Sequence, residues 1–441
     1  MRFFILILSL FFLSCANKKE LIKTEDINSK YAILKFEQNI DSLTYFDDNI
    51  KQDSNSYKKK FFTPWNVKLD KKKYKQKDVF WSFPLYLSDR KYYFFNKQEI
   101  PKSYFKKLIE NANKKDFLKI KQKAIVTNTS NLKNLPSTTA ILLNPFKEGE
   151  GLPFDYSLDT VLNIGSPVLI SHFTKDKKFA FVFAESGFGF IEAKNLQIFT
   201  DARARIYETL KFITPTKERF PVLSLDNKFA FELRVGAIYP YYAFEDGHYI
   251  GKIGDLKYKI PSYAVSKFPL VLNDKNLKNQ LKELFDKPYG WGGYDFERDC
   301  SLFTRDLFAS FAFYLPRNSY AQSLVWKKFD ISKLNNTQKQ DFIQRYAKPY
   351  TTLLYLRGHI MLYAGVLDDE NVALHSIWGI KTKDDRRLLV GKSALTTIDI
   401  GSYSSRVDEK DLILSRLSAV SFLSLSEGEI LHINEALEKY K

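Results

Sequence analysis

An α+β chain of several domains is what the sequence predicts: a mostly helical N-terminal part to about residue 120, two small β-barrels over about 121–201 and 202–272, and an α+β domain over 273–441. Three observations predict it. The 441 residues are 44% hydrophobic, enough for about three packed cores and too apolar for a disordered chain. Near residue 125 helical periodicity gives way to short alternating runs split by Gly, Asn, Asp and Lys, and the same texture recurs after residue 220. Beyond residue 276 an apolar helical run opened by a cysteine is followed by β-type runs that carry two of the five histidines.

At the amino end Arg2 precedes an apolar run over 3–13, too short for a stable membrane span, and Leu13-Ser14-Cys15 closes it. This looks like a secretory signal ending in a lipoprotein box, with an ordinary cleaved signal as the alternative. In bacterial lipoproteins the cysteine at that place is lipidated and becomes the first mature residue, here Cys15. Asn17, not Asp, follows by two, which in many Gram-negative species implies passage to the outer membrane. The expectation is an exported, lipid-anchored envelope protein facing the periplasm. Residues 16–26 are polar, a tether. Helices are then expected over 31–49 and 103–112, separated by an aromatic, lysine-rich region.

The first barrel is read from runs at 167–172 (P-V-L-I-S-H) and 179–184 (F-A-F-V-F-A). His172, at a strand end, is expected to be structural. Ahead of these runs, 149–156 (G-E-G-L-P-F-D-Y) has turn glycines, a proline and an aromatic-acid pair, Asp155 and Tyr156. Runs at 220–224, 230–235 and 247–251 predict the second barrel. Its Tyr239, Tyr241 and Tyr242 are read as barrel core ahead of a sugar or peptide platform, and His248 as a surface or structural residue.

The last domain opens with an amphipathic helix over 277–285, and residues 289–305 read Y-G-W-G-G-Y-D-F-E-R-D-C-S-L-F-T-R. Phe303, Leu307 and Phe311 fall at i, i+4 and i+8 and Asp299 sits where an N-cap would, so Cys300 should open a buried helix. Free amides and the dipole at a helix start favour a thiolate, while Asp299 and Glu297 oppose it, which leaves the acidity of the thiol open. A buried structural cysteine is the bland alternative. With Cys15 lipidated, however, Cys300 is a lone thiol in an oxidising compartment, where such groups are kept for reactivity. A thiol nucleophile needs a base and a group to orient it. His359 lies on an expected strand over 353–366 and His375 on a second over 372–377, with 368–371 as the turn. A turn centred near Asp368 puts both imidazoles on one face, whereas one between Asp369 and Glu370 puts them on opposite faces. A helical insert is expected over 337–347, a strand over 393–400 and a terminal helix over 427–440 carrying His432 as a bystander. Cysteine helix before histidine sheet is the order of the papain-like α+β fold.

The Y-x-W-G-G segment, the D-C-S triplet, P-R-N-S at 316–319, the G-H-I-M-L-Y run and H-S-I-W-G at 375–379 resemble the NlpC-type cysteine peptidases of the bacterial cell wall, in the branch with SH3-like domains ahead of the catalytic one. The resemblance is close over 282–400 and looser over 125–201; Leu302 departs from it where many relatives have glycine. It implies Cys300 as nucleophile, His359 as base, His375 as its orienter and the Tyr289 hydroxyl in the oxyanion hole. Asp299 and Ser301 would bind the substrate's free amine, and Asp155 and Tyr156 would lean over the cleft from the first SH3-like barrel. The implied bond joins γ-D-glutamate to a diamino acid in a peptidoglycan stem peptide. An inactive wall-binding lipoprotein and a Cys-His amidase or acyltransferase remain the alternatives.

The scattered Cys and His supply no zinc site, and no cofactor is implied. A net charge of +17 suits an anionic wall or membrane surface, although lysine-heavy composition explains it as well; no nucleic-acid motif accompanies it.

Overall fold

The computed structural model describes residues 34, 37–47, 50–72 and 74–440. Cys15 and the expected signal and tether lie outside the described residues.

Three antiparallel sheets organise the chain. In the first, the strands Leu158–Leu162, Ser130–Lys133, Gly187–Glu192, Phe179–Ala184, Pro167–Phe173, Gln122–Val126 and Leu196–Ile198 lie side by side in that order. The second runs Phe229–Glu232, Pro221–Ser224, Leu256–Pro261, His248–Ile253, Tyr239–Glu245, Lys211–Pro215 and Val265–Lys267. The third runs Lys327–Asp330, Ala419–Phe422, Thr352–Leu356, His359–Leu367, Glu370–Lys381 and Arg387–Thr397. Helix Cys300–Ser310 packs across the middle strands of this last sheet.

The N-terminal part contributes helices Ser54–Phe61, Thr63–Asn66, Gln76–Val79, Phe83–Leu87 and Lys102–Asn111. Among the described residues it has no core of its own. Phe80, Phe83, Tyr86, Phe105 and Phe117 share one with Leu169, Phe181, Phe183 and Phe190 of the first barrel. The Trp65 indole N–H donates to Ala124 O at 3.1 Å and Val168 O at 3.0 Å, so burying that ring leaves no polar group unpaired.

The expected helix over 31–49 is a correction: residues 37–47 carry no helix. Ile40, Leu43 and Phe46 recur every three residues because they are the buried side of a strap pressed on the last domain's core. Gln38 replaces a missing strand there, its Nε2 donating to Leu395 O and its Oε1 accepting the Leu395 N–H, both at 3.0 Å. The expected strand over 353–366 is also corrected. It is two antiparallel strands, paired Leu356↔His359 around a two-residue turn at Arg357-Gly358. Both strands are buried on both faces, so their apolar run shows no break except the polar pair at the turn.

His172 is structural as expected, its ring nitrogens bonded to Ser171 Oγ at 2.9 Å and Ala112 O at 3.0 Å. His432 stands exposed on helix Glu427–Lys439 against Tyr346. The three barrel tyrosines make no common platform: Tyr239 is sealed in the core and Tyr242 faces solvent.

Candidate active site

Cys300 is the first residue of its helix, and Asp299 caps it, Oδ1 accepting the Leu302 N–H at 2.9 Å. The loop before it follows from its glycines. Gly292 and Gly293 adopt φ of +65° and +94°, and a Cβ on either would meet Leu158 O at 2.7 Å or Val161 Cγ2 at 2.5 Å. The pair is therefore where the cysteine loop lies directly on the first barrel's strand Leu158–Leu162, Gly292 against its backbone and Gly293 against the Val161 side chain. Trp291 stacks on Tyr156 at 6.1 Å, and Phe154 packs on Tyr289, Trp291 and Trp378. The 149–156 turn thus leans on the cysteine loop.

The two histidines meet because of a bulge. The turn is Asp368-Asp369 alone, both with positive φ, and next to it Leu367 pairs with Glu370 and Gly365 with Val372. Carried straight on, that register sets His375 across from Leu362 and on the face away from His359. Between Tyr363 and Gly365 the register shifts by one, Tyr363 pairing with Ala373 and Leu362 with Leu374, which brings His375 to the face of His359. His359 Nε2 lies 2.7 Å from His375 Nδ1, and His375 Nε2 lies 3.0 Å from Thr396 Oγ1. The Thr396 hydroxyl donates to Thr397 O at 2.8 Å, and a carbonyl can only accept. Thr396 Oγ1 therefore accepts from His375 Nε2, His375 Nδ1 accepts from His359 Nε2, and the lone pair of the base is left on His359 Nδ1.

Burial, and then the charge of Asp299, push the Cys300 thiol up to about 12, against the Ile360 and Ser301 N–H groups and Arg317. The Ile360 amide places the sulfur beside the start of the strand that His359 opens. Burial lowers His359 to about 4, with Arg416 adding to it, and holds His375 well below the usual imidazole range. The resting pair is neutral thiol and neutral imidazole. Burial, together with the nearby thiol and Asp299, also keeps the Tyr289 phenol protonated, hence a donor.

Cys300, Asp299 and Tyr289 line a cleft of about 380 Å³ together with Ser301, Tyr156, Trp291 and residues with no role read from the sequence: Trp81, Asp159 and Arg317. Arg317 engages both Asp299 oxygens, Nη1 to Oδ1 at 3.1 Å and Nη2 to Oδ2 at 2.6 Å, and also Ser301 Oγ at 2.9 Å. Despite its burial, Asp299 stays below the usual carboxylate range because of that guanidinium. Its oxygens further accept from Ser301 Oγ and the Leu302 and Gly292 N–H groups, so both are engaged within the protein although Asp299 lines the cleft. Asp299 is a saturated cap.

Asp155 is a correction. It is 2% exposed, paired with Lys133 at 2.8 Å, and accepts the Ile141 and Ser157 N–H groups, which pins the turn from within and leaves it off the cleft. Four residues on, Asp159 reaches the cleft wall. Set among protein atoms that deny it bulk water, its carboxyl is raised to about 7, opposed by Asn134 and Arg317. Its alternation within a β-run was the only signal in the sequence. Arg317 was visible in P-R-N-S, and Trp81, half-exposed at the cleft, comes from the N-terminal part. Among the described residues no cluster of His, Cys, Asp and Glu could hold a metal ion.

Residues 286–386 match the NlpC/P60 family. Residues 4–117 match the NLPC_P60 stabilising domain, 141–192 an SH3 domain of SH3b1 type and 201–244 an SH3 domain of SH3b2 type. Among solved structures, an NlpC/P60 endopeptidase from Photobacterium damselae subsp. piscicida is 22% identical, with a TM-score of 0.76 over 88% of this chain and 97% of that one, a likeness of fold. An NlpC/P60 family protein from Bacillus cereus ATCC 10987 is 16% identical over 68% of this chain and 100% of its own, with a TM-score of 0.49. No curated protein matches.

Proposed function

We propose, for a chain that belongs to the NlpC/P60 family, that it is a cell-wall peptidase using Cys300 to hydrolyse the amide between γ-D-glutamate and a diamino acid in peptidoglycan stem peptides. The observation that carries this reading is the Thr396–His375–His359 relay, which leaves His359 Nδ1 free beside a cysteine at a helix start in a peptide-sized cleft.

Burial raises the thiol and lowers the imidazole, so the neutral pair is favoured over the ion pair. The proton therefore passes from Sγ to His359 Nδ1 as the C–S bond forms, not before. The Cys300 amide, one of the helix N–H groups without an intrahelical partner, and the Tyr289 hydroxyl receive the oxyanion, at about 3 kcal/mol per donor. Collapse expels the amine, which takes the proton from His359. Water, activated by the same nitrogen, hydrolyses the thioester.

The cleft walls favour short peptides with an unblocked amine. Tyr156 and Asp159 close one side from the first barrel, and an ammonium beside Asp159 relieves the cost of an ionised carboxylate held away from water. Asp159 takes here the role expected of Asp155 and Asp299.

Mass spectrometry of muropeptides incubated with the chain from Ala16 onward, beside Cys300→Ala, tests the reading. Release of the diamino acid from the glutamyl carboxyl by wild type alone is expected; unchanged muropeptides end it. The proposal extends to the envelope through lipidation of Cys15. Cys15→Ala should leave the membrane fraction, and retention there would point to another anchor.

A further inference from the structure

A buried ionic lattice that takes no part in this reaction lies directly behind the nucleophile. Arg298, two residues before Cys300, is 4% exposed. Its guanidinium grips Glu218 of the second barrel with Nη1 to Oε1 at 2.8 Å and Nη2 to Oε2 at 3.1 Å, and Asp306 of the cysteine helix with Nε to Oδ2 at 2.8 Å. The same Nη2 donates to Val235 O at 3.1 Å, and Glu218 Oε2 in turn accepts the Val235 N–H at 2.7 Å. All three nitrogens of the guanidinium are thus held by the barrel or by the helix.

The backbone of Arg298 faces the other way, into the site. Its carbonyl accepts from Ser376 Oγ at 2.7 Å, next to His375, and from the Gly290 N–H at 3.1 Å, next to Tyr289. One residue therefore has its side chain held by the second barrel and its carbonyl holding the neighbours of the orienting histidine and the oxyanion tyrosine. Gly236 of the same barrel lies flat on the helix, where a Cβ would stand 2.6 Å from Asp306 Cα.

Hydrophobic burial would dock a barrel as firmly, and a buried ion pair gains little net stability over it. What a forked Arg–carboxylate pair adds is direction: both its hydrogen bonds hold only in one plane and at one distance. We propose that Glu218 is a positioning residue for the reaction proposed above, and that the second barrel acts as an internal clamp on the cysteine segment. Its partner is the catalytic domain of its own chain. Misplacement of reacting groups by about 1 Å costs on the order of 100-fold in rate, so loosening the clamp reads out in turnover.

The test compares Glu218→Gln, which keeps shape and removes charge, with Trp65→Phe, which removes two buried hydrogen bonds elsewhere and touches neither Arg298 nor the cleft. Measured on a γ-linked tripeptide with the chain from Ala16 onward, kcat of Glu218→Gln should fall about tenfold or more with KM within about twofold, while Trp65→Phe keeps kcat at equal or greater loss of Tm. Alkylation of Cys300 by iodoacetamide, which needs no substrate, should begin at lower pH in Glu218→Gln because the thiol is less tightly enclosed. If wild type cleaves no stem peptide, the peptidase reading fails and the alkylation profile still decides the clamp. Should Glu218→Gln not fold, Arg298→Lys, which keeps the charge and loses the fork, carries the same expectation. A folded variant of either kind with kcat and alkylation profile unchanged, or kcat losses that simply follow Tm in both arms, overturns the proposal.

Discussion

The proton of the Thr396 hydroxyl decides which nitrogen of His359 is basic, two residues away from it. Cys300→Ser and His359→Ala should each abolish turnover, and His375→Ala should leave a residue of it, because His375 only orients. Thr396→Val removes the acceptor that holds the His375 tautomer, and kcat should fall about tenfold with KM unchanged in steady-state assays. Full activity in Thr396→Val would mean that the relay ends at His375. Asp159 yields a second prediction with two signs to check. Its carboxyl, raised to about 7, contributes stability that is present below the unfolded carboxylate range and lost as pH rises through about 7. Asp159→Asn should therefore melt higher than wild type at pH 8, by a few kcal/mol at most, and lose that advantage near pH 4. In the same variant the preference for a free over an N-acetylated tripeptide, expected to exceed tenfold in wild-type kcat/KM, should disappear. A variant both less stable at pH 8 and still selective would remove Asp159 from the amine's site.

At the scale of elements, the bulge at 363–365 does more than bend a strand. It reverses the face of every residue beyond it, and His375 is one of them. Gly365 makes the bulge with φ of +105°, and a Cβ there would stand 2.2 Å from Thr44 Oγ1 of the strap. Gly365→Ala should cost about 1–3 kcal/mol in urea unfolding. Adding Thr44→Ala should recover only the steric part, because the backbone strain stays. Turnover should fall further than the loss of folded protein explains, and a fall that merely tracks the folded fraction would make the bulge a packing feature alone. The strap itself, expected as a helix, shows how a period of three misleads: Ile40, Leu43 and Phe46 bury one side of an irregular chain as well as they would one face of a helix.

Over the whole molecule, the N-terminal helices, the barrels and the catalytic domain share cores, so the chain should unfold in one cooperative step. Tyr57, Phe62 and Trp65 belong to a cluster with Phe212, Ile213 and Ile238 of the second barrel, Ala309 of the cysteine helix and Ala312 just past its end. Trp65→Ala leaves a cavity where three parts meet, and should lower stability by about 3–5 kcal/mol while one transition persists in calorimetry. Separate transitions for the barrels and the catalytic domain would show that the shared clusters do not couple them.

Local chemistry was legible in the sequence by itself. The N-cap at Asp299, the helix it opens at Cys300, two barrels of short alternating runs and helices at 102–111, 274–284 and 427–439 depend on neighbours a few residues apart, and capping and periodicity record such neighbours directly. The short motifs that hold Cys300, His359 and His375 were legible for the same reason. Tertiary structure alone decided whether the histidines meet, since a one-residue bulge leaves no mark in composition and yet inverts a strand's faces. It decided also the partner of each acid near the cleft. Asp155, Asp159 and Asp299 are alike in sequence, but Lys133 takes the first and Arg317 the third, from 22 and 18 residues away in the chain. Asp159, on the cleft wall, is raised toward neutrality instead, because the charge of a buried carboxylate is settled by whichever partner the fold brings to it.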